Sequence, residues 1–273
     1  MPFYPQIDYA RGETKLSIVE AGVLVEHEKA NGILISKAPY ELHEDESHGF
    51  KRIVANTRVS LKEGETHFVM FRYNTTDVAS TEDEHYEEDF QKTKEFWEQW
   101  VHRCDLESCP VEYPWHESVV RSSLVLKILF FEPPGSIAAA PTTSLPEVIG
   151  GVRNWDYRFS WIRDSAFTVQ ALFWMGYLQE ANEYVKWLMS ECLRIEEEGP
   201  ESLQIMYGLR GEKDLKEETL DHLDGYKGSS PVRIGNGAHK QRQWDIYGGL
   251  LNTVWQLHVR KSHIVEDNKE LWG

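Results

Sequence analysis

Residues 150–168 read GGVRNWDYRFSWIRDSAFT, and this stretch joins two structural periods. Trp155, Tyr157, Phe159 and Trp161 fall on every second position, the side-chain period of a β-strand, so a strand here places all four rings on one face. The run passes at once into the Arg163–Asp164 pair and then into DSAFTVQALFWMGY, whose apolar spacing is helical. Asp164 or Ser165 stands where an N-cap belongs, and Gly176 falls near the end of that helix. Four rings on one face suit plain core. Rings that run into a guanidinium beside a carboxylate also suit the floor of a polar pocket.

Working outward toward the C-terminus, LQEANEYVKWLMSECLRIEEEG reads as a further helix. Ala181, Tyr184, Val185, Leu188, Met189 and Cys192 form one stripe on it. A fourth helix carries Trp244, Tyr247, Leu250, Leu251, Val254, Trp255 and His258 at helical spacing. Toward the N-terminus, HESVVRSSLVLKILFF from residue 116 is apolar almost all round and reads as a buried helix. Two long connections interrupt these helices: EPPGSIAAAPTTSLPEVIGG and the Gly- and charge-rich GLRGEKDLKEETLDHLDGYKGSSPVRIGNGAHKQ. Long structured loops in compact domains often carry function. Helices joined alternately by short and long connections suggest an α/α toroid whose loops gather on one face.

Residues 14–73 have a different texture. LSIV, VLVEH, GILIS, RIVANTRVSL and HFVMFRY are short runs rich in β-branched and aromatic residues, separated by turn and charged residues. They predict an antiparallel sheet or part of a sandwich. The charged segment STEDEHYEEDFQKTKE then leads into EFWEQWV, with Phe96, Trp97, Trp100 and Val101 at helical spacing. That is the pattern of a linker helix docking its tryptophans between two domains. The expected organisation is therefore α+β: a partial N-terminal sandwich over residues 1–80, a linker helix over 81–112 and a helical domain over 113–273.

Composition narrows the partners. Twenty-nine basic residues against 45 acidic ones give a net charge of −16, which repels phosphate backbones and anionic membranes. Neither nucleic acid nor membrane is an expected partner. The start, MPFYPQIDYARGE, has no basic region followed by an apolar stretch, so no secretory signal is read there. The three cysteines, Cys104, Cys109 and Cys192, lack paired C-x-x-C spacing. The acidic runs at 41–48 and 80–95 read as solvated turn and linker and lack calcium-loop spacing. A cytoplasmic, reduced and metal-free protein is the expectation.

The chemistry of the quoted stretch suits a sugar. Flat aromatic faces stack on the apolar C–H faces of pyranose rings. Arg163 offers five donors in a fixed fork and Asp164 offers acceptors, a match for neighbouring hydroxyls. Preorganised polar groups beside rings are the usual build of a small-molecule pocket. A local salt bridge with a helix cap, set on core aromatics, is the structural alternative. PVRIGNG, with Arg233 and glycines at 235 and 237, lacks the Lys-Ser/Thr ending of a phosphate loop, and no G-x-S-x-G is present.

The run FWEQW…SLVLKILFFEPPGSIAAAPTTSLPEVIGGVRNWDYRFSWIRDSAFT resembles the start of the catalytic domain of glycoside hydrolase family 15, the family of glucoamylases, glucodextranases and some trehalases. LQIMYGLRGE, LDHLDGYKGSSPVRIGN and QRQWDIYGG continue the likeness in order, over roughly residues 90–260. Upstream, QIDYARGETKLSIVEAGVLV resembles, more loosely, part of that family's β-sandwich. The resemblance implies the first part of an (α/α)6 barrel after a partial sandwich. It implies hydrolysis of an α-glucosidic bond, in an α-1,4-glucan or trehalose, with inversion by two carboxyl groups. Neither metal nor organic cofactor is implied, since water is the only co-substrate. By the same resemblance Arg163 and Asp164 grip hydroxyls of the terminal glucose, Tyr157 lies beside the cleavage point and Trp161 forms a supporting wall. Trp155 and Arg233 lie in the same substrate-binding motifs, Gln243 lies near the pocket, and Gly249 stands where the family often has Glu.

No acidic residue matches the family's general acid or base, so no catalytic residue is assigned. The chain reads as an internal piece of such an enzyme, inactive alone, for which a complementary chain completing the barrel is a conceivable partner. A non-catalytic carbohydrate-binding or regulatory protein is the second reading, and a helical interaction protein without a sugar site the third.

Overall fold

The β-branched runs near the N-terminus pair as antiparallel strands. In the computed structural model, residues 1–46, 52–75, 86–101, 114–199 and 203–259 are described. The chain divides into two units, Met1–Phe96 and Trp97–Gly273.

The first unit holds β1 (Pro2–Phe3), β2 (Lys15–Val19), β3 (Gly22–Glu26), β4 (Asn31–Ile35), β5 (Glu41–Asp45), β6 (Arg52–Asn56) and β7 (Met70–Tyr73). They form a four-stranded sheet in the order β2-β3-β4-β7 and a three-stranded sheet in the order β1-β6-β5, with all pairs antiparallel. Val23 and Leu34 from the first sheet share a buried cluster with Ala55 from the second and with Tyr40, and Phe3 and Leu16 pack at its edge. The two sheets share this buried cluster, and their pairing is antiparallel as the sequence predicts. The β2–β3 hairpin depends on Gly22, which has φ +145°; a Cβ there would drive into the Leu34 carbonyl oxygen.

The helix α1 (Tyr86–Val101) runs from the first unit into the second. The rest of the expected linker, including Cys104 and Cys109, lies outside the described residues. The second unit then contains α2 (His116–Leu129), β8 (Phe130–Phe131), β9 (Ser136–Ile137), β10 (Thr143–Pro146), β11 (Asn154–Asp156), β12 (Ser160–Trp161), α3 (Ile162–Trp174), α4 (Leu178–Glu198), β13 (Met206–Tyr207), β14 (Glu218–Thr219), β15 (Arg233–Ile234) and α5 (Asp245–Val259).

The stripe on α4 is buried as expected: Ala181, Tyr184, Val185, Leu188 and Met189 lie in the main core with Ile162, Val169 and Phe173 of α3. Cys192 is free, and burial, followed by the nearby Glu191 carboxylate, pushes its thiol up to about 11. The end of α3 is written in Gly176. At φ +86° its N–H donates to the Phe173 carbonyl at 3.1 Å, while the Tyr177 N–H donates to the Leu172 carbonyl at 2.9 Å. This is a Schellman stop, and its apolar contact falls between the buried Leu172 and Tyr177.

Two helices differ from expectation. On α2 the buried residues are polar, Ser123 and Lys127, while Val125 and Ile128 are exposed. Lys127 turns inward because Glu180 of α4 receives it: Nζ lies 3.0 Å from Glu180 Oε1, and Trp100 Nε1 donates to the same oxygen at 2.6 Å. Burial alone would raise the Glu180 carboxyl. The bonds from Trp100 and Lys127 outweigh it and hold the group below the usual carboxylate range. On α5, Leu251 and Trp255 of the expected apolar stripe are exposed, and so is Trp244 just before the helix, while Ile246 and Thr253 are buried.

The two long connections are structured and meet each other. β10 pairs with β11, β12 with β13 and β14 with β15. A bulge between Thr143 and Leu145 puts Ser144 at φ +58°. There its hydroxyl accepts from the Arg233 N–H at 2.6 Å and donates to the Arg233 carbonyl at 2.7 Å.

Candidate functional site

Residues 154–161 form two short strands rather than one, and the alternation is buried the other way round from a ring-lined core face. Asn154, Asp156 and Ser160 are fully buried, whereas Trp155, Tyr157 and Phe159 are half-buried; of the four rings only Trp161 is buried. The buried polar groups have partners to meet, which is what makes their burial tolerable. Asn154 Nδ2 donates to the Gly151 and Pro231 carbonyls. Asp156 Oδ1 accepts from the Arg158 backbone N–H and Nε, and its Oδ2 accepts from Arg158 Nη2 at 2.7 Å and the Gly235 N–H at 3.1 Å. Asn236 Nδ2 donates to the Asp156 carbonyl at 2.9 Å. Most of these partners lie nearly 80 residues ahead in the chain, so no local pattern announces them.

The six residues singled out from the sequence fall into two groups. Trp155 and Arg233 form the first. The Arg233 guanidinium carbon sits 4.7 Å from the centre of the Trp155 ring, Nη1 donates to the Val152 carbonyl at 2.9 Å, and Nε lies 3.1 Å from Glu217 Oε1. The Arg233 side chain keeps only 14% of its exposure. It works as a rivet between the two long loops.

Tyr157, Trp161, Arg163 and Asp164 form the second group. Trp161 precedes α3 in extended conformation, and the helix carries no side-chain cap, so Asp164 lies in the first turn rather than at the N-cap. A carboxylate there still benefits from the positive end of the helix dipole. The rings of Tyr157 and Trp161 are tilted at 52° with centres 6.4 Å apart. Burial, followed by the Glu147 and Asp164 carboxylates, pushes the Tyr157 phenol above its usual value, so it stays a neutral donor and acceptor.

Arg163 and Asp164 are open rather than sealed against each other: their side chains keep 43% and 45% exposure, and the nearest approach of Nε to Oδ2 is 3.7 Å. The firmer contacts of Arg163 are on α5 and the turn before it. Nη1 donates to Gln243 Oε1 and to Asp245 Oδ2, both at 3.1 Å. Asp245 was not singled out in the sequence, although an acidic residue opening an apolar helix is a readable signal. A cavity of about 270 Å³ opens between α3 and α5 beside Arg163 and Asp245, floored by Ala166, Gly248 and Gly249. Tyr157 and Trp161 do not line it.

Three polar atoms in this group have no hydrogen-bond partner among the described residues: Asp164 Oδ2 and the indole Nε1 of Trp161, both shielded from solvent, and Nη2 of Arg163. A guanidinium edge, a half-exposed carboxylate and a phenol beside ring faces are groups that a neutral polyhydroxylated ligand can use. Among the described residues, no group of three or more His, Cys, Asp or Glu side chains could hold a metal ion, and no helix is long and apolar enough to cross a membrane.

Comparison with known proteins shows the family. The family model of glycosyl hydrolases family 15 matches residues 114–272, and the chain belongs to this family. It is 41% identical over 218 residues to a trehalase of Mycolicibacterium smegmatis, covering 80% of this chain and 31% of that protein. It is 35% and 33% identical to trehalases of Thermoplasma acidophilum and Thermoplasma volcanium, each match covering 99% of this chain and 43% and 40% of the relative. The chain thus spans well under half the length of these curated relatives. No solved structure matches it.

Proposed function

We propose that this chain provides the glucose-gripping wall of a site that hydrolyses trehalose with inversion, built on the opening helices of an (α/α)6 barrel. The observation that carries the reading is the half-exposed Arg163–Asp164 pair, with Arg163 Nη2 lacking a hydrogen-bond partner among the described residues, in the same group as the neutral phenol of Tyr157. The trehalase relatives favour trehalose over an α-1,4-glucan as the α-glucoside. Tyr157 supplies a ring face and a hydroxyl, the buried Trp161 backs it as a supporting wall, and Arg163 and Asp164 grip adjacent hydroxyls. Trp155 and Arg233 hold the loops behind them.

Inverting hydrolysis needs an acid and a base on opposite faces of the sugar, about 6.5–9.5 Å apart. Asp164 and Asp245 both lie against Arg163 and serve binding in this reading. The proton-handling carboxylates come from elsewhere, and a complementary chain is one source. The chain by itself is therefore expected to bind without turnover. Titration calorimetry with trehalose, maltose and glucose tests this, alongside a glucose-release assay. Trehalose heat that disappears in Asp164→Ala supports the reading. Absence of binding to all three sugars by a folded chain rejects it, stronger binding of maltose than trehalose moves the substrate to a glucan, and robust turnover by the pure chain refutes the division of roles.

A further inference from the structure

We infer that Asp245 is a positioning residue that clamps one edge of the Arg163 guanidinium, so that the opposite edge is presented to ligand. The inference rests on the proposed binding role of Arg163 and deepens it. A guanidinium has two equivalent terminal nitrogens, and on a half-exposed side chain nothing intrinsic decides which faces the pocket. Here the two are unlike. Both donors of Nη1 are taken, one by Gln243 Oε1 and one by Asp245 Oδ2, each at 3.1 Å, while Nη2 has no protein partner among the described residues.

The helices explain how the clamp reaches. Arg163 and Ala166 lie three residues apart on one face of α3, and Asp245 and Gly249 lie four apart on one face of α5, so each pair is a stacked pair on its helix. The point of contact is Gly249: a Cβ built on it would stand 3.6 Å from Ala166 Cβ and 4.0 Å from Arg163 Cα. Two small residues at the crossing let α5 come close enough for Asp245, one turn earlier, to meet the guanidinium. Asp245 opens α5, where the helix dipole favours a carboxylate. Gln243, two residues before it, adds a neutral acceptor that fixes the plane of the fork. With Nη1 anchored, Nη2 and the half-exposed Asp164 carboxylate form a preset donor–acceptor pair, and ligand binding then costs less ordering of a flexible arginine.

A double-mutant cycle tests the clamp: Asp245→Ala, Asp245→Asn, Arg163→Ala and the Asp245→Ala/Arg163→Ala pair, each read by trehalose calorimetry and by thermal midpoint. Asp245→Ala is expected to weaken trehalose binding about tenfold and Asp245→Asn, which keeps an acceptor oxygen, about threefold or less, with no further loss from Asp245→Ala once Arg163 is alanine. A merely structural role would instead lower affinity and midpoint alike in both backgrounds. A loss that persists in the Arg163→Ala background overturns the clamp. So does unchanged affinity in Asp245→Ala when Asp164→Ala abolishes binding. Should the wild-type chain bind none of the sugars, thermal coupling between positions 163 and 245 upholds the clamp while the trehalose reading falls, and its absence removes both.

Discussion

Two arginines, Arg233 and Arg163, are near equals in the sequence and opposites in the structure. Arg233 is stacked on Trp155, paired with Glu217 and bonded to the Val152 carbonyl, and its side chain is 14% exposed. Arg163 has one nitrogen anchored, the other unpartnered and 43% of its side chain exposed. The first is shielded between two loops; the second stays half-exposed at the start of α3. Burial, rather than residue type or partner count, separates a structural guanidinium from a binding one. Each region's supporting residues show the same contrast. The Arg233 side is knit by buried side-chain-to-backbone bonds over a long sequence separation, and the Arg163 side by a close helix crossing with a half-exposed ion pair.

The hardest strike on this contrast is Asp156→Ala. Asp156 is 1% exposed and receives Arg158, the Gly235 N–H and, at its carbonyl, Asn236. Removing it takes the acceptor from the Arg158 and Gly235 backbone N–H groups and from the Arg158 guanidinium, whose side chain is 33% exposed, a loss of about 3 kcal/mol. Urea unfolding is expected to show that loss. A cost below about 1 kcal/mol would mean that the loop region is not held by its buried polar bonds.

Next in size is the difference between the two arginines themselves. Arg233→Ala loses a shielded stacking contact, a partly buried ion pair and a bond to backbone, together worth about 2 kcal/mol of stability. Arg163→Ala loses half-exposed contacts worth about 1 kcal/mol or less. Sugar affinity should reverse the ranking, with Arg163→Ala the more damaging. Equal stability losses in the two variants would erase the distinction.

What the sequence discloses follows the reach of each interaction. The α4 stripe and the Gly176 stop are local: periodicity shows the first and the glycine the second, and both stand in the structure. So do the β-branched runs of the first unit. The failures are all long-range. Lys127 looks misplaced on an apolar helix until Glu180 and Trp100 are brought to it. The rings at 155, 157 and 159 claim the buried face of a strand, yet Asn154 and Asp156 take it, because their partners sit near Pro231, Gly235 and Asn236. Arg163 and Asp164 stand out in the sequence because they are adjacent. Asp245 does not, because it is 82 residues from Arg163 and belongs to the site only once α3 and α5 cross.

The smallest expected effect concerns that crossing. Glycine inside a helix costs about 1 kcal/mol relative to alanine, and Gly249 sits within α5. A methyl group there would meet Ala166 Cβ at 3.6 Å, an ordinary contact, with nothing nearer. Gly249→Ala should therefore be neutral or stabilising, raising the thermal midpoint by about 2 °C or less, and it should leave Asp245 within reach of Arg163. Gly249→Leu should do the opposite, prising α5 from α3 and weakening sugar binding together with stability. A Gly249→Ala variant that loses stability would show the helices to be closer than 3.6 Å allows. The glycine would then be required by contact, and the Arg163 side would be packed as tightly as the Arg233 side.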